Sequence, residues 1–348
     1  MSVGLDIGSS QIRCVRRRDE RLMGRAVQAL FTPLPDAPEY RALLEAGRIP
    51  FAVCDGALTI VGDKSAEYSL LFHVRPQRLM PHGRLPTNDP VARQSLAALV
   101  DALLGEPDQP GEMCGVTFPG GESFQSLATS SELEFFSRLI RLRGFFPQVL
   151  SAGMAAVLAE LSRHCFTGLG LSFGAATSEL VVAHRGIELL MCSIPKGGDW
   201  LDEQLAQEFG DMLRDDAGEP ILDLAKSETR RRSAERLLSP ANDDTDCFLA
   251  GLHRDLIYSL IRSATFALAS HPRATEIPQP LPAIIVGGVS RIAGFEDLLW
   301  KSFELARFPL AIREIRFSTR HDFTVARGGL INAQLESEIR QQQLSRAA

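Results

Sequence analysis

Two stretches of this chain repeat one device. Residues 3–15 (VGLDIGSSQIRCV) and 169–182 (LGLSFGAATSELVV) each read as an apolar strand, a tight turn of glycine and small residues, and a second strand. The glycines that open the turns, Gly8 and Gly174, lie 166 positions apart. Such a repeat predicts two similar halves with a cleft between them, a favoured place for a ligand. Two such turns facing each other can hold a polyphosphate through backbone N–H groups. The copies differ at one telling position: Asp6 in the first stands where the second has Ser172.

The 348 residues suffice for two domains, with 45% hydrophobic and 23% charged residues, an ordinary soluble composition. The halves are expected at 1–150, with a small subdomain near 33–86, and at 151–333, with a subdomain near 200–265. A polar tail follows at 334–348. The net charge of −6 gives no reason to expect nucleic acid as a partner. The basic runs 16–18 and 230–232 read as solvated faces. Six cysteines are scattered without a CxxC pair, so neither a disulfide framework nor a zinc site is expected. Cys14, Cys54, Cys114 and Cys192 read as small core residues. The seven histidines are dispersed and suggest no metal site. No apolar run is long enough to span a membrane, and no leader pattern opens the chain. The default expectation is therefore cytoplasmic.

Both halves read as a strand meander followed by alternating helices and strands, an α/β architecture. In the first half the third strand covers 22–30. The proline-punctuated 33–86 region reads as irregular, with a strand pair at 51–53 and 58–61. A helix over 89–104 is capped by Asn88 or Asp89. A strand follows at 115–119, then a helix over 131–143 opened by a Ser131/Glu134 capping box, a strand at 146–150 and a helix at 154–163. The second half gives a third strand at 187–194 and helices at 200–213 and 252–269. A buried strand at 283–286 precedes a helix from Phe295, and the chain closes on a frayed helix from Leu335.

Four segments carry the expected chemistry. The turn Gly8-Ser9-Ser10 offers free N–H groups, and Asp6 before it can hold a hydrated Mg²⁺, which takes one or two carboxylates. The turn Gly174-Ala175-Ala176-Thr177 offers the same from the other half. Gly197-Gly198-Asp199 precedes a helix, so its amides can meet phosphate or ribose at a helix N-terminus. Gly287-Gly288, after a buried strand and before Ser290, lets a flat ring approach the backbone.

With these segments in place, the chain resembles the actin-like ATPase superfamily, which also holds heat-shock chaperone ATPase domains and sugar kinases. Residues 6–10 resemble its first phosphate motif, 171–179 its second, and 284–292 its adenosine motif. Residues 197–202 resemble the signature after the second hairpin. Residues 153–156 and 325–329 resemble the two connecting helices. The stretches 61–66 and 74–76 make the bacterial actin family of MreB the nearest resemblance. It implies two similar halves around a nucleotide cleft, ATP or ADP with Mg²⁺, and self-association into filaments. It places Glu228, in the 226–239 segment, on an adenosine-contacting helix.

The sequence departs from the family pattern where hydrolysis would be catalysed. Ser172 replaces an aspartate, and Ala152 stands where an acidic or amide residue is usual. Neither can serve as a carboxylate base, and base assistance is worth about 10²–10⁴-fold, so slow or absent hydrolysis is expected. Asp199 substitutes only if its loop geometry differs. Ala175-Ala176 replaces two glycines; their methyls either crowd a γ-phosphate or simply stiffen the turn. Alternatives are a non-hydrolysing scaffold or adaptor of the same fold, with an unknown protein partner, or a chaperone-like ATPase. A membrane anchor is unsupported: the one candidate, Leu70-Leu71-Phe72, reads as core.

Overall fold

The computed structural model describes residues 2–18, 21–119, 131–214, 218–271, 273, 276–318 and 322–347. They form two units: described residues up to 150 with 325–347, and described residues from 151 to 324.

The first unit opens with β1 (Ser2–Ile7), β2 (Gln11–Arg18) and β3 (Arg21–Gln28) as an antiparallel meander. A smaller layer follows: β4 (Leu30–Pro35), α1 (Pro38–Ala46), β5 (Ala52–Cys54), β6 (Ala57–Val61), α2 (Asp63–Phe72) and β7 (Gln77–Arg78). Then come α3 (Pro90–Leu104), β8 (Glu112–Thr117), α4 (Ser131–Leu142) and β9 (Phe145–Val149). The second unit holds α5 (Ala152–Glu160), β10 (Gly168–Phe173), β11 (Ser178–His184), β12 (Ile187–Ile194), α6 (Gly198–Phe209), β13 (Met212–Arg214), β14 (Pro220–Leu222), α7 (Leu224–Arg231), α8 (Asp244–Ala269), β15 (Leu281–Val286), α9 (Phe295–Leu305) and β16 (Ile312–Phe317). The last helix is α10 (Thr324–Ala347).

The duplication extends to topology. The main sheets run β3-β2-β1-β8-β9 and β12-β11-β10-β15-β16, the same order in each unit. The strands that pair in parallel beside each hairpin, β8 and β15, are buried along their whole length, as strands covered on both faces are. Each sheet also carries a helix that lies backbone to backbone on it. In the second unit a Cβ on Gly170 of β10 would come within 2.7 Å of the Gly153 carbonyl carbon in α5. In the first, a Cβ on Gly115 of β8 would come within 2.5 Å of the Gly329 carbonyl carbon in α10. Glycine alone permits such approaches. Residues 325–333, expected in the second half, therefore pack with the first.

Most elements match the sequence reading, and Asp89 rather than Asn88 caps α3, accepting from the Ala92 N–H at 2.9 Å. The capping box expected at Ser131 rests on a side chain outside the described residues. The 33–86 region is more ordered than expected. It is a four-stranded sheet, β5-β6-β4-β7, with two helices around a core of Leu34, Leu44, Leu58, Ile60 and Phe72. Pro38, read as a breaker, sits at the first turn of α1, where its missing N–H has no intrahelical partner to lose. Phe72 is buried as expected, but Leu70 and Leu71 are 82% and 57% exposed. The helix expected over 200–213 stops at Phe209, because Gly210 adopts the left-handed conformation and ends it. The helix expected from 252 begins at Asp244, where the Asp243 carboxylate accepts from the Asp246 N–H at 2.7 Å. Leu256 and Leu260 of α8 share one core with Leu171 and Phe173 of β10, so α8 belongs to the main body of the second unit rather than to a 200–265 subdomain. Strand β16 was not foreseen. Of the four cysteines read as core, Cys14, Cys54 and Cys114 are buried and Cys192 is half-buried.

Candidate functional site: two phosphate-type turns

The two turns are built alike. Gly8 N–H donates to the Gln11 carbonyl and Gly174 N–H to the Thr177 carbonyl, both at 3.0 Å. Cross-strand partners are Asp6 with Arg13 and Ile7 with Ile12 in the first, Ser172 with Glu179 and Phe173 with Ser178 in the second. Each loop therefore has four residues in the same register. A Cβ on Gly8 would stand 2.6 Å from the Gln11 oxygen, and one on Gly174 3.1 Å from the Thr177 oxygen, so both positions favour glycine. Ser9 is buried, and the Ser10 carbonyl accepts from the Ala29 N–H at 2.9 Å. Neither Ala175 nor Ala176 has a positive φ, so the second turn holds alanines without backbone strain.

Charge distinguishes the first turn. Oδ1 of Asp6 accepts from the Thr117 hydroxyl at 2.8 Å, and Oδ2 from Nη1 of Arg13 at 3.3 Å. Nη2 of Arg13 donates to Oε1 of Gln11 at 2.7 Å. Arg13 thus lies along the turn, held at both ends. The sequence reading missed it; the signal was its place directly across the strand pair from Asp6. Mg²⁺ usually keeps several waters and is held through one or two carboxylates. Each Asp6 oxygen accepts one hydrogen bond and keeps a lone pair, with Arg13 as a competing cation beside it; Ser172 supplies no carboxylate from the second turn. Among the described residues no group of three or more His, Cys, Asp or Glu is placed to hold a metal. A hydrated Mg²⁺ expected at Asp6 would have to share that carboxylate with Arg13.

In the second unit three predicted segments converge. Gly198 and Asp199 N–H groups donate to the Gly174 and Ala175 carbonyls at 3.0 and 2.8 Å. These amides, expected to meet a ligand, instead brace the turn. Gly197 lies so close that a Cβ would stand 2.6 Å from the Gly174 oxygen. Gly287 has φ of 104°, and a Cβ there would lie 2.5 Å from the Phe173 carbonyl carbon. The Ser290 hydroxyl donates to the Gly287 carbonyl at 2.9 Å, holding the following turn. Gly288 is exposed, with nothing within 4 Å of a Cβ position. These segments therefore meet beyond the carboxyl ends of β10 and β15, the part of an α/β sheet where ligands commonly bind.

Beneath this turn sits a charged layer. Arg231 donates from Nε and Nη2 to both oxygens of buried Asp202, each at 2.7 Å. Burial pushes the Asp202 carboxyl above its ordinary range, against the pull of Arg231. Half-buried Glu228 pairs with Arg232 at 2.8 Å and adds its field to the Asp202–Arg231 pair. Arg230 pairs with buried Asp211, which also holds Lys226 at 2.6 Å. Within the 230–232 run, read as a solvated face, Arg231 is buried, Arg230 is half-buried and Arg232 is exposed, and each pairs with a different carboxylate.

Buried His253 of α8 lies in the same layer, edge-on to Phe295, which in turn stacks edge-on against Phe173. Its Nδ1 donates to the Leu249 carbonyl at 2.8 Å, and Nε2 has no partner. Burial pushes the imidazole down from its ordinary 6.5 to about 4; the bond to Leu249 opposes this and the charge of Arg231 adds to it. The folded protein keeps His253 neutral while the unfolded chain takes a proton below about 6.5. Stability should therefore be lost as pH falls from about 6.5 to 4, by up to about 3 kcal/mol from this group. Urea titrations at pH 7 and pH 4.5 should show His253→Leu losing less stability on acidification than wild type. Equal losses would refute the assignment.

At the Ala152 position no carboxylate projects, yet two lie nearby. Ser151 caps α5 by accepting from the Met154 N–H at 3.2 Å and donates to Oε2 of Glu188 at 2.5 Å. Glu179 accepts from the Gly153 N–H. Burial pushes the Glu188 carboxyl up. Both acids brace the helix start.

A family model, Volactin, matches residues 1–333. The chain belongs to the Volactin family. No curated protein matches it by sequence. Among solved structures the chain is similar to the MamK double helical filament, at 15% identity over 95% of this chain and 98% of that one, with a TM-score of 0.69. It is also similar to MreB5 of Spiroplasma citri bound to AMPPNP, at 12% identity over 99% and 98%, TM-score 0.63, and to a non-polymerising MamK mutant bound to AMPPNP, at 16% identity over 95% and 98%, TM-score 0.56. The fold of this Volactin-family chain is therefore the actin-like one. No helix among the described residues is long and apolar enough to cross a membrane.

Proposed function

We propose that this Volactin-family chain binds ATP or ADP and assembles with copies of itself into cytoplasmic filaments, with hydrolysis slow or absent. The observation that carries the nucleotide reading is the duplicated turn, with Gly197 and Gly287 converging on its second copy. The solved structures of MreB5 with AMPPNP and with ADP support it. The MamK filament supports assembly. Gly8 to Ser10 and Gly174 to Thr177 are the phosphate-facing residues, Gly287 and Gly288 the adenosine side, and Glu228 the ribose or adenine contact from α7. Ser172 and Ala152 support impaired turnover, because neither supplies a base and the carboxylates of Glu179 and Glu188 are committed to α5.

Titration calorimetry should show ATP and ADP binding well below millimolar nucleotide, and negative-stain microscopy should show nucleotide-dependent filaments. No heat at millimolar nucleotide would overturn the binding reading and leave an adaptor of the same fold. Turnover typical of active chaperone ATPases would overturn the reading of Ser172 and Ala152.

A further inference from the structure

We infer that the face of β3 that carries Met23 is a docking surface for an acidic amphipathic helix of a partner protein. The inference goes beyond the nucleotide reading and lies wholly within the first unit.

The duplication shows what this face lacks. β3 and β12 are equivalent edge strands of their two sheets. Arg25 stands across from Cys14, and Cys192 across from Leu180; Met23 stands across from Arg16, and Leu190 across from Val182. Cys14 and Leu180, like Arg16 and Val182, lie 166 positions apart, the spacing of the two turns. Arg25 and Cys192 each reach the helix on their sheet. Nη1 of Arg25 donates to the Ala102 carbonyl of α3, and the Cys192 thiol donates to the Ser263 hydroxyl of α8, both at 3.2 Å. Beyond that contact the two halves diverge. In the second unit α8 continues to Ala269, and Leu190 shares a core with its Ala264 and Leu268 and is 2% exposed. In the first unit α3 stops at Leu104, where Gly105 at φ of 61° ends it and Pro107 follows. Met23 is left 55% exposed. The second unit thus supplies a helix where the first leaves a bare strand.

Charge says what kind of helix fits. Side chains alternate along a strand and match across a pair, so Arg21, Met23 and Arg25 share one face with Arg18. All four are exposed. Arg18 and Arg21 are direct cross-strand partners, a placement that like charges disfavour. Among the described residues none of Arg18, Arg21 and Arg25 forms an ion pair. The stretch 16–25 carries five arginines against two acids, Asp19 and Glu20. A helix with an apolar stripe over Met23 and carboxylates beside it would cover the strand as α8 does and offset the arginines. A second copy pairing through its own β3 would set arginine against arginine.

The test is fluorescence anisotropy of two labelled synthetic helices against the full chain, each of about 18 residues so that the helix forms alone. Both carry the same stripe of leucine and alanine; the polar face is glutamate in one and lysine in the other. The glutamate helix should bind with a Kd below about 100 µM, weaken as salt rises, and bind about tenfold or more tighter than the lysine helix. Met23→Asp should weaken it about tenfold or more, and so, separately, should Arg18→Glu with Arg21→Glu. Leu22→Asp lies on the opposite face of the strand and should change the Kd by less than about threefold. Thermal melts report whether each variant is folded; if Met23→Asp is not, the arginine pair decides. No binding of the glutamate helix, equal binding of both helices, or equal losses in Leu22→Asp and Met23→Asp would overturn the inference. Binding to phosphatidylserine vesicles that both aspartate variants abolish would overturn it in favour of a membrane contact. Sedimentation showing dimers that Met23→Asp dissolves would overturn it in favour of self-association.

Discussion

Gly287→Ala should unfold or badly loosen the second unit, while Gly288→Ala, one residue on, should be nearly silent. At Gly287 two independent penalties meet. The backbone has φ of 104°, which alanine avoids, and a built Cβ lies within 2.5 Å of the Phe173 carbonyl carbon and 2.8 Å of its nitrogen. Those are backbone atoms at the end of β10, inside a sheet, and cannot swing away as a side-chain tip would. Strain at a disfavoured φ is worth about 1–3 kcal/mol, and overpacking adds about 1–3 kcal/mol more. The expected loss is roughly 2–6 kcal/mol in a urea titration followed by circular dichroism. Because the chain has two units, the unfolding curve should split, with the early transition belonging to the second unit. Gly288 lies in the open, with no atom within 4 Å of a Cβ, and alanine there should change stability by less than about 0.5 kcal/mol. Folded Gly288→Ala then probes the site itself: a methyl placed where adenine should rest ought to weaken ATP. If Gly287→Ala melts like wild type, the close approach of β15 to the β10–β11 turn is wrong.

This site was legible in outline because its determinants are local. A glycine after a buried strand leaves a mark in the sequence, and four such marks in order give the turns at Gly8, Gly174, Gly197 and Gly287. What stayed hidden depends on partners distant in sequence. Arg13 was an ordinary strand residue until the register placed it opposite Asp6, and Thr117, which donates to the same carboxylate, lies over a hundred residues away. Likewise the 230–232 run looked like a solvated face. The pairing of Arg231 with Asp202 and of Arg230 with Asp211 follows from how α6 and α7 meet, while Arg232 and Glu228 pair one helical turn apart. The amides of Gly198 and Asp199 were expected to meet a ligand, but a helix N-terminus donates to whichever acceptor is nearest. Here the acceptors are the carbonyls of the turn. In the 33–86 region a proline that begins a helix was read as one that breaks it, a distinction that turns on one residue of register at Pro38.

The pairing of Arg231 with Asp202 makes the strongest energetic claim about the floor of this site. Arg231→Met should cost about 3–5 kcal/mol, because it strands a buried carboxylate. Asp202 is almost wholly inaccessible, and both its oxygens depend on one guanidinium. Without Arg231, Asp202 escapes its penalty by holding a proton. A carboxyl whose folded pKa is raised contributes its full stability below the unfolded value, near 3.8, and loses it as pH rises through the raised value. The deficit of Arg231→Met should therefore shrink as pH is lowered from 7 toward 4, when measured against the single variant His253→Leu as background so that the histidine does not mask it. Adding Asp202→Leu should recover most of the lost stability, since an apolar pair of similar volume is often neutral in place of a buried ion pair. That rescue separates a charge effect from mere loss of packing. The same double variant addresses function, because Nη2 of Arg231 lies 3.1 Å from where a Cβ on Gly198 would stand. Gly198 in turn holds the Gly174 carbonyl. If the ion pair positions that turn, the rescued double variant should be stable yet bind nucleotide more weakly than wild type. Full binding by the double variant would reduce the pair to a stability element.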